Sequence, residues 1–199
     1  MLELSNAEIG TISTTGILRI TGSGGDISIT AQITTTAGTL SLSSSNGAIL
    51  DNNATDPDLI VNSGNGSLAL SAVNGIASAT TLEVRVANLA ASNTMAGNIA
   101  VTNDGSLTVP STAIDGVSGV INTPGNVTLT ADNAGNTANL QISNSVRTGA
   151  NNMTVALVAD NNITLSGGPA GSTVGKTGGV TGVSVTLTAT LGSITVTPD

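Results

Sequence analysis

The chain is organised around one short unit. Gly125-Asn126-Val127-Thr128-Leu129-Thr130-Ala131 reads as turn residues, then apolar and polar residues in alternation, then a small residue. Close copies are Gly25-Asp26-Ile27-Ser28-Ile29-Thr30-Ala31, Gly66-Ser67-Leu68-Ala69-Leu70-Ser71-Ala72 and Gly97-Asn98-Ile99-Ala100-Val101-Thr102. Looser copies begin at Gly38, Gly105, Asn161, Gly182 and Gly192. A period of two puts alternate side chains on one face of a strand, and the Gly or Asn before it accepts a tight turn. A strand repeated this often points to a repeat architecture, in which each unit buries its apolar face only against the next copy. Starts separated by roughly ten or roughly twenty residues predict coils of about twenty residues with two or three strands each.

Composition narrows the cross-section of such a stack. Phe, Tyr and Trp are absent, yet 39% of the 199 residues are hydrophobic, so the core must be aliphatic. Aromatic side chains normally fill the wide space between layers of a globular domain. A core of stacked Val, Ile, Leu and Ala suits a thin section instead. Only 8% of residues are charged, which leaves Thr, Ser, Asn and Gly to solvate the surface. The net charge is −8, with Arg19, Arg85, Arg147 and Lys176 as the four cations. Phosphate neutralisation needs clustered Lys and Arg, so nucleic acid is excluded as a partner, and attachment to anionic membranes is disfavoured on the same ground. No apolar run reaches the length of a membrane span. Met1-Leu2-Glu3-Leu4 lacks the basic and apolar regions of a signal peptide, so an export signal is expected outside this chain.

In chain order, weak strand signals at 8–12 and 16–20 precede a turn at Gly22-Ser23-Gly24-Gly25. No Lys-Ser/Thr and no helix pattern follow that turn, so it is not a phosphate loop. Strands are predicted over 27–31 and 38–43, with Asn-Gly turns at Asn46-Gly47, Asn65-Gly66 and Asn74-Gly75. Residues 51–58 form an acidic loop broken by Pro57. Leu82, Val84 and Val86 alternate with Glu83 and Arg85, which predicts a strand followed by a loop through Leu89-Ala90-Ala91. Further strands are predicted over 99–102, 107–109, 117–121, 127–131, 140–143, 153–158, 163–166, 183–188 and 194–197. Residues 167–179 are predicted to be an excursion that carries Lys176. Residues 1–199 are thus read as a single β-helical segment, expected to belong to a longer chain, with irregular loops near 51–58 and 167–179.

Stacking such coils at about 4.8 Å pairs their backbones in parallel and aligns the aliphatics inside, which is a parallel β-helix. Eight to ten coils of that size give a rod about 40–50 Å long. The alternative is an antiparallel β-sandwich of adhesin-repeat type, which explains ten-residue spacing but not the missing aromatics or the nearly identical strands. The open ends of a rod leave backbone groups unpaired, so the stack is expected to continue in the parent chain or in further copies.

Gly47-Ala48-Ile49-Leu50-Asp51, the passage from Gly75-Ile76 to Leu82, Val86-Ala87-Asn88-Leu89-Ala90-Ala91, Gly97-Asn98-Ile99 and Gly105-Ser106-Leu107-Thr108-Val109 occur in that order. This succession, over roughly residues 25–197, resembles the long repeats of filamentous-haemagglutinin-like giant exoproteins of bacteria. The resemblance implies a right-handed parallel β-helix (β-solenoid) within a very large secreted or cell-surface protein of structural or adhesive duty. The implied partners are further copies of itself, end to end or side by side, or a host or neighbouring cell surface.

The chemistry open to the chain is narrow. Without His, Cys or Tyr, no Ser-His-Asp or Cys-His arrangement can form, and transition metals lose their preferred ligands. The chain is therefore read as non-enzymatic. Asp56 and Asp58 resemble the clustered aspartates of polysaccharide-active β-helix enzymes, but no basic or aromatic groups accompany them to hold a sugar. A weak calcium site is the better use of Asp51, Asn53, Asp56 and Asp58, whose hard oxygens lie close together. Asp132 with Asn133, and Asp160 with Asn161 and Asn162, are thinner candidates beside their ordinary use in turns. No other cofactor is expected. Thr128 and Thr130, Thr186 and Thr188, Thr195 and Thr197, with Ser28 and Thr30, raise ice binding as a further alternative, against the plain fitness of Thr for outward strand positions.

Overall fold

The computed structural model describes residues 2–4, 16–54, 56–166 and 173–197. Alternation becomes strands that pair from coil to coil in parallel and nearly in step. On one face, Ile17–Gly22 lies on Thr39–Ser44, which lies on Ser67–Ala72, which lies on Asn88–Asn93. On the other, Ile27, Ile49, Ile76, Ile99, Val127, Val155 and Val185 stand in one column. All pairs between strands of the described residues are parallel, and the antiparallel contact between Ile114 and Val117 is an isolated bridge. The chain is a parallel β-helix, and the antiparallel sandwich is excluded.

The coils are longer and fewer than twenty-residue spacing implied. One turn takes from 20 residues (Asn88 to Thr108) to 33 residues (Leu107 to Leu140). Seven complete turns fit between Ile17 and Ile194 among the described residues, a stack of about 34 Å. Spacing misled because strand starts on the two faces interleave and all coils but the one with Asn88–Asn93 and Ile99–Asp104 carry an excursion of their own length.

Those excursions change face midway along the rod. In the first three coils one face is an unbroken six-residue strand, while the other is split: Ile27–Ile29 from Ile33–Thr35, Ile49–Asp51 from Leu59–Val61, and Ile76 from Leu82–Arg85. The coil with Asn88–Asn93 and Ile99–Asp104 has two unbroken faces. Beyond it the pattern reverses. Val127–Asp132, Thr154–Ala159 and Ser184–Ala189 are continuous, and the opposite face is split into Leu107–Val109 and Val120–Asn122, Leu140–Ile142 and Val146–Thr148, and Ile163–Leu165 and Val174–Lys176. Two predicted features change accordingly. The strand predicted over 117–121 begins at Val120, because Val117 belongs to the inserted loop, and a strand lies inside the predicted excursion at Val174–Lys176. The signal at 8–12 and residues 167–172 fall outside the described residues.

The longest insertion on this face, residues 110–119, folds back over it as a strap. Arg19, Ser41, Ala69 and Ala90 form an outward column in register. Ile114 packs on Ala69 and Ala90, with Val117 beside it. At the tip, Asp115 accepts a hydrogen bond from Arg19 Nε (2.9 Å), and Ser41 is a second partner. The positive φ of Asp115 (46°) and Gly116 (84°) makes this tip a tight hairpin turn. Asn144 fixes its base, donating to Pro110 O (3.1 Å) and Ser118 Oγ (3.2 Å). The strap explains why Ala90, predicted to lie in a loop, sits in the strand Asn88–Asn93: Leu89 and Ala91 point into the core, and Ala90 is buried beneath Ile114.

The interior is columns of Leu, Ile, Val and Ala, which form one core. Three fully buried asparagines interrupt it and hold the corners. Asn93 Oδ1 accepts the Gly75 N–H (2.8 Å), while its Nδ2 donates to Ala96 O (2.7 Å) and to Asn122 Oδ1 (2.9 Å). Asn122 stands one coil on in the same column and donates to Asn126 O (2.7 Å). Asn103 does the same at the opposite corner, between the Val86 N–H (2.9 Å) and Gly105 O (2.9 Å). A corner bends the backbone away from the ladder, and these amides supply the partners its N–H and C=O groups lose.

Candidate functional site

The split face of the early coils creates the one place where the described residues bring three carboxylates together. Strand Ile49–Asp51 ends in Asp51, and the next strand of the same coil is Leu59–Val61, with Asp58 just before it. Glu83 comes from Leu82–Arg85 one coil later, on the outward side between buried Leu82 and Val84. One carboxylate oxygen from each of Asp51, Asp58 and Glu83 lies within 4.8 Å of the others.

Backbone bonds set this geometry. The Asp58 N–H donates to Glu83 O (2.6 Å), and Asp58 Oδ2 accepts the Glu83 N–H (3.0 Å). Asp58 O accepts the Ile33 N–H (2.7 Å) from the coil on its other side. Asp58 is thus sewn into the stack through both neighbours and is fully buried, but its Oδ1 has no hydrogen-bond partner. Asp51 Oδ1 accepts the Asn53 N–H (2.9 Å), which folds the start of the loop back on itself.

The electrostatics follow from burial among like charges. Loss of solvent pushes the Asp58 carboxyl up to about 6; Asp51 and Asp56 add to the rise, while the Glu83 backbone and Asn53 oppose it. Glu83 is pushed up to about 7, first by desolvation and then by Asp56, Asp58 and Asp51. Of the four residues expected to offer oxygens, Asp51 and Asp58 enter the three-carboxylate group. Asn53 supports it by hydrogen bonding. Asp56 acts through its charge and lines a neighbouring open groove of about 330 Å³ with Pro57, Glu83, Thr102, Asp104 and Asp132. Glu83 was missed because it is 25 residues from Asp58. Only a known coil register, Leu59 on Val84, brings the two side by side.

The thinner candidates are engaged in structural bonds. Asp160 Oδ2 accepts the Asn133 N–H (2.7 Å), Asn133 Oδ1 accepts the Thr137 N–H (3.0 Å), and Asn139 Oδ1 accepts the N–H of Asn162 (3.1 Å). Asp132 sits in register with Asp104, and burial raises its carboxyl, helped by Asp160 and Asp104. Asp104 is in turn paired with Arg85, whose Nε donates at 2.8 Å. Lys176 donates to Val180 O (2.8 Å). The Thr-x-Thr pairs do not stack on one another directly. Thr128 and Thr186 are separated in their column by Ala156, Thr130 and Thr188 by Val158, and Ser28 is buried rather than displayed. No helix among the described residues is long and apolar enough to cross a membrane. No protein-family model, curated protein or solved structure matches the chain.

Proposed function

We propose that the chain is a non-enzymatic structural and adhesive segment of a giant bacterial protein that is secreted or displayed at the cell surface, and that its coils stack end to end on further copies. The observation that carries this reading is the continuity of the columns. Ile27 to Val185 repeat one apolar position through every coil, with excursions diverted sideways so that the stack is never broken. Length and stiffness are what such a stack supplies, and the loops at its flanks are what it displays.

The last described coil presents the same columns to any coil laid on it. Val185 (44%), Ile194 (45%) and Val196 (64%) occupy columns whose earlier members, Val155 and Ile163 among them, are fully buried. Another coil laid on these residues would bury them and pair the free edges of Ser184–Ala189 and Ile194–Val196. Electron microscopy of the purified chain at high concentration tests this. Fibres with an axial repeat of about 4.8 Å are expected. Dispersed short particles at every concentration would refute end-to-end stacking.

A further inference from the structure

We propose that Asp51, Asp58 and Glu83 form a calcium site that clamps the coil containing Leu59–Val61 to the coil containing Leu82–Arg85. Two observations carry this independently. The first is spacing: three carboxylate oxygens lie within 4.8 Å of one another. Calcium binds oxygens at 2.3–2.6 Å, so two ligands on opposite sides of one ion stand up to about 5 Å apart. The second is the orphan oxygen. Asp58 is fully buried, and while its Oδ2 is held by the Glu83 N–H, its Oδ1 has no partner. A buried carboxylate oxygen without a donor is costly, and the groups that act on this carboxyl are the Glu83 backbone and the Asn53 side chain as donors and Asp51 and Asp56 as like charges, with no base among them. A hard divalent cation gives that oxygen a partner and offsets the repulsion among its neighbours.

The ligands also suit the metal in type. All three are carboxylates, which calcium prefers, and Asp56 adds negative charge beside them without entering the group. Two of the three are rigidly placed: Asp58 by backbone bonds to both adjacent coils, Asp51 by its bond to the Asn53 N–H. Glu83, the longest of the three, comes from the following coil, so the ion would bridge two turns of the solenoid where the early face is split. Water completes the usual six to eight oxygens.

The test uses the full chain, freed of metal by chelation and held at pH 7.5 in about 0.15 M KCl to screen diffuse binding. Thermal unfolding is followed by circular dichroism as calcium chloride is added, with calorimetric titration alongside. The expected result is one saturating site per chain. The melting temperature should rise by about 5–10 °C when calcium reaches a hundredfold excess over its Kd. The variant Asp58→Asn with Glu83→Gln should fold, since it removes charge without changing shape, and should lose both the heat of binding and the thermal shift. Absence of any calcium-dependent shift in the native chain would overturn the proposal. So would an equal shift in the double variant, which would place the ion elsewhere.

Discussion

Replacing Asn93 by Ala isolates what the interior asparagines contribute. The substitution leaves the Gly75 N–H without an acceptor and Asn122 Oδ1 without a donor, both inside the stack, and it frees Ala96 O at the exposed corner. A buried polar group deprived of its partner costs about 1–3 kcal/mol. Two such groups, with Ala96 O discounted because solvent reaches that corner, give about 3–4 kcal/mol. The cavity left by the amide is a competing explanation, and Asn93→Leu separates the two. Leucine fills the space and leaves the same groups unpaired, so it should destabilise about as much as alanine. The control is Asn46→Ala, at an exposed corner where Nδ2 donates to Ser23 O (2.7 Å). Its cost should stay within about 0.5 kcal/mol. Urea unfolding followed by circular dichroism reads all three, with stability taken from midpoints at a common slope. If Asn93→Leu matched the native chain, or if Asn93→Ala fell within about 1 kcal/mol of the control, corner bonding by buried amides would be refuted.

Gly125→Ala should destabilise the chain by more than the roughly 1 kcal/mol scale of ordinary glycine effects, because its Cβ would fall against the carbonyl oxygen of Gly97 one coil below; an unchanged urea midpoint would contradict this. Ile114→Ala should loosen the strap over Ala69 and Ala90 and speed proteolytic cleavage near Asp115 and Gly116, while the strand signal in circular dichroism persists. In chelator, stability should fall as pH rises from about 4 to 7.5. Asp58 and Glu83 bind protons more tightly folded than unfolded, so their contribution is complete below the ordinary carboxylate range and is lost as pH passes about 6 and about 7. For Asp58 alone the change amounts to about 3 kcal/mol, and Asp58→Asn with Glu83→Gln should flatten the profile.

What could be read from the sequence was whatever depends on one coil alone. The unit at Gly125 to Ala131 shows its strand, its inward Val127 and Leu129 and its outward Thr128 and Thr130 without reference to any other coil. Even there the reason for the glycine was only half visible. A tight turn explains Gly97, with φ of 81°, but Gly125 is required by the closeness of the coil below, a relation between residues 28 apart. Ala90 was misread, and the roles of Glu83 and Asn93 went unseen, for the same reason. Ala90 is apolar on an outward position because a strap from the next coil covers it, Glu83 meets Asp58 through the register, and Asn93 is buried because its Oδ1 accepts the Gly75 N–H at a corner of the preceding turn.

Register is therefore the missing quantity, and it is set by excursions of unequal length. An insertion within a face lengthens the coil without shifting the columns on either side, as the strap shows: Leu107–Val109 and Val120–Asn122 both remain in step with the strand Asn88–Asn93 that they divide. Excursions are thus free to vary in length and chemistry while the core columns are not. The carboxylate group and the strap both arise where a face is split, one before the exchange of faces and one after it. A site on this rod is made by a loop that leaves one coil and by the neighbouring coil it meets on return, so its residues lie one or more turns apart in the chain. Substitutions that preserve the columns but alter residues 52–58 or 110–119 should change what the rod binds or how its coils are fastened without changing its pitch.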